Sequence, residues 1–335
     1  MNIMDFNQGI IMTRVIEKRL LSKAQIDRMI DAEDSEEVLR ILRETEYSSS
    51  FSQMKDSYDY ESLLFSELIR VYDLMRDISV EDIVIDLLAL KYDYHNLKVM
   101  IKEKEVKEDL SHLYLPIGAT DFKAIKEAYD QGDISKIPAN YKEAIEAVVE
   151  ECTENPDPQK IDIILDKFYY KHLYQMAKES EIEFFIQYVE DVIDFTNIAS
   201  VIRLIRQGRD DKHFDDIMLS DGNIDKEKLM ETVKEPLELE VLEKKFSDYR
   251  IGPSLIKGLA SYKETNRLTD FEKCKDNYLM DINKESKRVL FGPEPIFSYV
   301  FAKETEIKNL RIIFVSKVNN ISSHLIRERV RDLYV

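Results

Sequence analysis

No tryptophan occurs in this 335-residue chain, and it holds only eight glycines and eight prolines. Both counts fall below the usual shares of roughly 7% and 5%. Gly and Pro punctuate turns and hairpins, so their scarcity argues against a fold built from many tight turns. It also leaves no glycine-rich phosphate loop: neither a Walker-type sequence nor GxGxxG is present. The two cysteines, Cys152 and Cys274, have no CxxC or zinc-type spacing, so reduced thiols in the cytoplasm are expected and a secreted disulfide framework is not. The five histidines, at 95, 112, 172, 213 and 324, form no HExxH pattern, and no serine sits in a GxSxG turn. No run approaches the roughly 18 uncharged apolar residues of a membrane span. The opening stretch "MNIMDFNQGIIMTRVIEKRLL" carries Asp5 and no long apolar run, so it does not read as a signal peptide.

What is present is helical text. The apolar fraction is 44%, normal for a globular chain, with Leu, Ile, Glu, Lys and Asp abundant. Sixty-six acids against 48 bases give a formal charge of −18, which disfavours nucleic acid and anionic lipid as partners of the chain as a whole. From Lys303 onward the balance reverses, with seven bases and four acids. That segment reads as a solvated helix face or, alternatively, as a docking surface for an acidic partner.

Periodicity predicts helices at 35–45, with Ser35 opening the first turn, at 61–75, over about 80–105, at 141–152, 161–179, 182–206, near 268–288, and from about Ser298 to Lys317. "SSHLIRERVRDLYV" reads as one last helix capped by Ser322 or Ser323. Boundaries are expected at "SHLYLPIGATDF" (111–122) and across "QGRDDKHFDD" and "LSDGNID" (207–225).

One nonapeptide shape occurs three times: "DYHNLKVMI" (93–101), "DFTNIASVI" (194–202) and "EIKNLRIIF" (306–314). Each has an acid (Asp93, Asp194, Glu306) and an asparagine three residues later (Asn96, Asn197, Asn309). Apolar residues follow the acid at one, four and eight places: Tyr94, Leu97 and Ile101, then Phe195, Ile198 and Ile202, then Ile307, Leu310 and Phe314. That spacing lines one helical stripe, with the acid and the Asn on a neighbouring face. No other Asn in the chain follows an acid at this distance. The acids are 101 and 112 residues apart, which divides the chain into units of 1–110, 111–215 and 216–335. An Asn at the edge of a buried stripe is expected to bond a backbone group of the next helix, making the pattern a packing signature. A fainter echo, "LDKFYYKHL" (165–173) and "FEKCKDNYL" (271–279), precedes the second and third copies.

A competing chemistry rests on "DDKHFDD" (210–216), where Asp210, Asp211, Asp215 and Asp216 resemble the metal–diphosphate cluster of isoprenoid synthases. The cluster follows Gln207–Gly208 and has no facing second motif. A solvated acidic loop is the expected state.

The run "GPEPIFSYVFAKETEIKNLRIIFVSKVNNISSHLIRERVRDLYV", with "RLLSKAQIDRMIDAEDSEEVLRILRETEY" (19–47) and "KYDYHNLKVMIK" (91–102), resembles the C subunit of bacterial and archaeal V/A-type ATPases, the counterpart of the eukaryotic vacuolar ATPase d subunit. The resemblance implies an all-α fold of three similar helical units around a pseudo-threefold axis, forming a funnel. It implies a non-catalytic central-stalk adaptor without cofactor or metal, seated on the cytoplasmic side of the membrane. Its partners would be the central-shaft subunits and the membrane rotor ring, and its role the coupling of ATP turnover to proton or sodium transport. A Mg²⁺-dependent isoprenoid-type enzyme and a generic helical scaffold are the alternatives.

Overall fold

Every regular element is helical in the computed structural model, which describes residues 3–56, 58–152, 157–207, 214–234 and 239–335. In chain order the first helices are α1 (Asn7–Glu17), α2 (Lys23–Asp31), α3 (Ser35–Leu42), α4 (Tyr60–Ile78) and α5 (Ile83–Val106). Then come α6 (Phe122–Asp130), α7 (Ala139–Cys152), α8 (Pro158–Ser180), α9 (Glu183–Gln207), α10 (Phe214–Ile217), α11 (Lys226–Lys234) and α12 (Leu239–Phe246). The last are α13 (Gly252–Thr265), α14 (Leu268–Glu285), α15 (Glu294–Val318) and α16 (Ser323–Arg329). Short 3₁₀ turns fill several connections, the longest being Glu46–Gln53. The chain is all-α among the described residues.

Two compact units are formed: residues 1–85 with 251–335, and residues 86–250. In the first, α15 is the central helix, packed by α1, α3, α4, α14 and α16. A helix apolar all round belongs inside a core, and the exposed positions of α15 reduce to Lys308, Arg311, Val315 and Val318. Tyr60 of α4 stacks on Phe314 at 4.8 Å between ring centres. In the second unit α8 packs on both α7 and α9. Lys98 and Lys102 of α5 reach Asp166 and Asp162 of α8 at 2.6 and 2.7 Å, an antiparallel ladder at i and i+4 spacing. Partly exposed pairs of this kind contribute roughly 0–1 kcal/mol each, so the ladder sets register more than it adds stability.

Several helix ends differ from the sequence reading. Ser35 opens α3 as read, behind an Asp34 cap whose carboxylate accepts Glu37 N–H at 2.9 Å, but the helix ends at Leu42 and not at 45. The helix α15 starts at Glu294, not Ser298, because Pro295 lies in the first turn, where its missing N–H costs nothing. Ser322 stands at the N-cap of α16 without a side-chain cap bond, and Ser323 Oγ donates instead to the Ile30 carbonyl at 2.8 Å. The final residues do not continue that helix: α16 stops at Arg329, and what holds the tail is part of the site below. "LDKFYYKHL" lies in α8 and "FEKCKDNYL" in α14, the helices that precede and pack on α9 and α15.

Candidate functional site

The three nonapeptides lie on α5, α9 and α15, which at 24, 25 and 25 residues are the longest described helices. Tyr94, Leu97 and Ile101, Phe195, Ile198 and Ile202, and Ile307, Leu310 and Phe314 are all buried. So are Asp93, Asn96, Asp194, Asn197, Glu306 and Asn309, none more than 3% exposed. Burying a polar side chain without a partner costs a few kcal/mol or more, so the positions of their partners decide what the motif does.

The three asparagines use one geometry. Asn96 Nδ2 donates to the Leu115 carbonyl at 2.8 Å, and its Oδ1 accepts Leu115 N–H at 2.9 Å. Asn197 holds Leu219 in the same way at 3.1 and 2.9 Å. Asn309 holds Arg331 at 3.0 and 2.7 Å. The amide thus imitates a strand neighbour and satisfies both backbone groups of one residue. The held residue is 19, 22 and 22 positions downstream. None of the three is helical: the expected backbone partner is there, but in the non-helical stretch just after a short intervening helix or 3₁₀ turn, and not in a neighbouring helix. The clamp on Arg331 also accounts for the end of α16, since the chain must be extended to enter it.

The acids grip the next stretch of chain. Asp93 Oδ2 accepts Ala119 N–H at 2.9 Å and the Tyr141 hydroxyl at 2.8 Å. Asp194 accepts Asn223 N–H and Ile224 N–H, both at 3.0 Å. In each case a glycine precedes the donor. A Cβ on Gly118 would stand 1.7 Å from Asp93 Oδ1, and one on Gly222 would stand 2.3 Å from Asp194 Oδ1. Only a bare backbone can lie this close over the carboxylate.

Glu306 departs from this pattern in a regular way. Its donors come from the N-terminal part of the chain, Leu21 N–H at 2.5 Å and the Tyr47 hydroxyl at 2.8 Å. The residue before the donor is Leu20, not glycine. Glu carries one methylene more than Asp and reaches further from its helix, so a side chain fits where the Asp copies require none. All three acids therefore anchor the chain two or three residues before a helix: α6, α11 and α2.

The Glu306 site holds further buried charge. Lys303 Nζ lies 2.7 Å from Glu306 and 3.1 Å from Glu67, and 4.4 Å from the centre of the Tyr47 ring. Arg70 closes the cluster on Glu67 through Nε at 2.7 Å and Nη2 at 2.8 Å. Burial opposes the charge of Lys303, but Glu306 and Glu67 outweigh it and hold the ammonium above its ordinary range. Burial, then the charge of Glu306, pushes the Tyr47 phenol well up, and burial with Asp93 does the same to Tyr141. Burial raises Asp194 to about 6 against the pull of its two backbone donors. Lys317, further along α15, donates to the Ala32 carbonyl at 2.5 Å and so caps the C-terminal end of α2.

Lys303 and Glu67 carry no mark in the sequence beyond Lys303 standing three residues before Glu306. Of the aspartate-rich stretch, Asp210 and Asp211 lie outside the described residues. Asp215 and Asp216 are exposed on α10, and Asp215 is bridged to Lys226 at 2.6 Å. Among the described residues no three His, Cys, Asp or Glu side chains are grouped to hold a metal ion, and none of the helices is long and apolar enough to cross a membrane. The repeated residues are sealed from solvent and engaged with backbone groups. Their arrangement fixes the chain.

Comparison with known proteins agrees with a chain-wide relationship. Residues 12–329 match the ATP synthase (C/AC39) subunit family. The C subunit of the V-type sodium ATPase of Enterococcus hirae is 27% identical over 331 residues, covering 99% of this chain and 99% of that protein. The C subunit of the A-type ATP synthase of Methanocaldococcus jannaschii is 24% identical over 334 residues, covering 95% and 84%. That of Methanosphaera stadtmanae is 24% identical over 312 residues, covering 89% and 80%.

Proposed function

Because the chain belongs to the ATP synthase (C/AC39) subunit family, a family of non-catalytic subunits of V/A-type ATPases, we propose that it is the central-stalk adaptor of such a rotary ATPase. In this reading it joins the rotor shaft to the membrane ring on the cytoplasmic side and passes torque between them, linking ATP turnover to proton or sodium transport. The observation that carries the reading is the family match over nearly the whole chain, with relatives named as ATPase or ATP synthase subunits.

The three clamps support the division into units 1–110, 111–215 and 216–335. On those boundaries Asp93 of the first unit grips Ala119 and Tyr141 of the second. Asp194 of the second grips Asn223 and Ile224 of the third. Glu306 of the third grips Leu21 and Tyr47 of the first. On those boundaries each stretch holds the opening segment of the next, and the last holds the first. For a part that bears torque, such ties are useful. They tie long helices to distant stretches of chain through short, buried hydrogen bonds, and buried polar networks resist deformation.

The experiment is to mix the purified chain with isolated shaft and ring subunits and follow assembly by size-exclusion chromatography. A complex containing all three is expected. A chain that elutes alone beside both would remove the adaptor reading.

A further inference from the structure

Between the start of α14, the exposed stripe of α15 and the end of α16 lies a groove of about 480 Å³. Five basic side chains line it against two acidic ones, Asp270 and Glu328. In a chain of net charge −18 this is a local reversal of sign. Part of this charge is balanced within the chain and part is not. Lys308 and Arg331 share one carboxylate, Asp276, at 2.5 and 2.9 Å, which leaves a positive excess. Arg311 meets Glu61 at 2.9 Å in a pair whose side chains are both about half exposed, a bond worth only roughly 0–1 kcal/mol and readily exchanged for another carboxylate. Arg267 is paired with Asp270 at 3.0 Å. Arg329 is exposed and makes no ion pair among the described residues.

The groove also has an apolar strip. Val315 is 43% exposed near the C-terminal end of α15, in a helix whose other apolar residues are nearly all buried. Lys308, Arg311 and Val315 are spaced three and four residues apart, so they form one straight stripe about 10 Å long, or two helical turns. A stripe with cations at one end and an apolar side chain at the other fits an amphipathic helix that carries acids at matching spacing and an apolar residue beside them.

We propose that this groove receives an acidic amphipathic helical segment of another subunit of the ATPase, an inference that rests on the family reading above. The occupant is recognised through charge complementarity with Lys308, Arg311 and Arg329 and through burial of Val315. Association by this route weakens with salt, because exposed charges are screened beyond about 8–10 Å at physiological ionic strength.

The test uses the assembled ATPase with a photo-cross-linking benzoylphenylalanine in place of Val315. The expected product joins position 315 to a peptide of another ATPase subunit in which Asp and Glu outnumber Lys and Arg. Its yield should fall at least tenfold in an Arg329→Glu background and in high salt, but remain with Arg329→Ala at low salt above the Arg329→Glu level. Far-UV circular dichroism and the melting temperature verify that each variant folds. Cross-linking to lipid, to a second copy of this chain or to a segment without acidic excess overturns the proposal, as does a chain that assembles and gives no cross-link at 315. If the unaltered chain never enters the complex, the adaptor reading falls with it. Entry without the acidic cross-link sinks only the groove.

Discussion

Asn309 holds Arg331 by both of its backbone groups, donating to the carbonyl at 3.0 Å and accepting the N–H at 2.7 Å. The bond ties the last turns of the central helix of its unit to the segment that follows α16, and the same amide geometry recurs at Asn96 and Asn197. One side chain therefore determines where a long connection lies against its helix, three times in one chain.

Replacing Asn197 with Leu fills similar volume but strips the Leu219 N–H and carbonyl of their partner. A partly buried backbone pair left unmatched costs roughly 1–3 kcal/mol. The urea midpoint should fall accordingly at unchanged slope, and an unmoved midpoint would count against the clamp.

Gly222→Ala places a methyl 2.3 Å from Asp194 Oδ1. Overpacking of this kind typically costs about 1–3 kcal/mol. In an Asp194→Ala background the carboxylate clash disappears and only Ile193 Cγ2, at 3.1 Å, stays close, so the same glycine substitution should cost less. A double-mutant cycle measures this coupling, and equal costs in both backgrounds would show that the carboxylate is not what requires glycine.

Lys303→Met leaves Glu67 and Glu306 buried with their shared cation gone. Breaking a buried ion pair on one side costs about 3–5 kcal/mol, the largest single loss expected from these substitutions. Thermal and chemical denaturation of the variant provide the measurement, and a loss under about 1 kcal/mol, the scale of an exposed pair, would mean that Arg70 alone suffices for Glu67.

Much of this is legible in the sequence, and the rest is not for physical reasons. The acid–Asn spacing and its apolar stripe identify the three central helices, because a period of one, four and eight is a property of the side chains themselves. The clamped residues are hidden: Leu115, Leu219 and Arg331 have nothing in common, since the Asn reads only their backbone. Gly118 and Gly222 stand 25 and 28 residues after their acids and are a usable signal, but the third copy has Leu20 in that place, because its acid is Glu. Lys303 and Glu67 carry no signal because Lys and Glu are rarely buried unless paired, and 236 residues separate these two. The short α16 likewise depends on a tertiary partner, Asn309, that periodicity does not report.

Asp194 gives the fold a dependence on pH. Its carboxyl is raised from an ordinary 3.8 to about 6, chiefly by burial. Between those values the folded chain holds a proton that the unfolded chain has released, so stability falls as pH rises. The contribution is complete below about pH 4 and lost above about pH 6, to the extent of about 3 kcal/mol. Compared with Asp194→Asn, which does not titrate, the unaltered chain should lose melting temperature between about pH 4 and pH 7. A constant difference between the two across that range would contradict the shift.

The adaptor role is tested most directly by ATP-driven ion uptake into vesicles holding the membrane ring and its stator, rebuilt with the shaft and the ATP-hydrolysing head, with and without this chain. The expected result is ion uptake only when the chain is present, while the head hydrolyses ATP in both preparations. Equal uptake in its absence would contradict the proposal that torque passes through it.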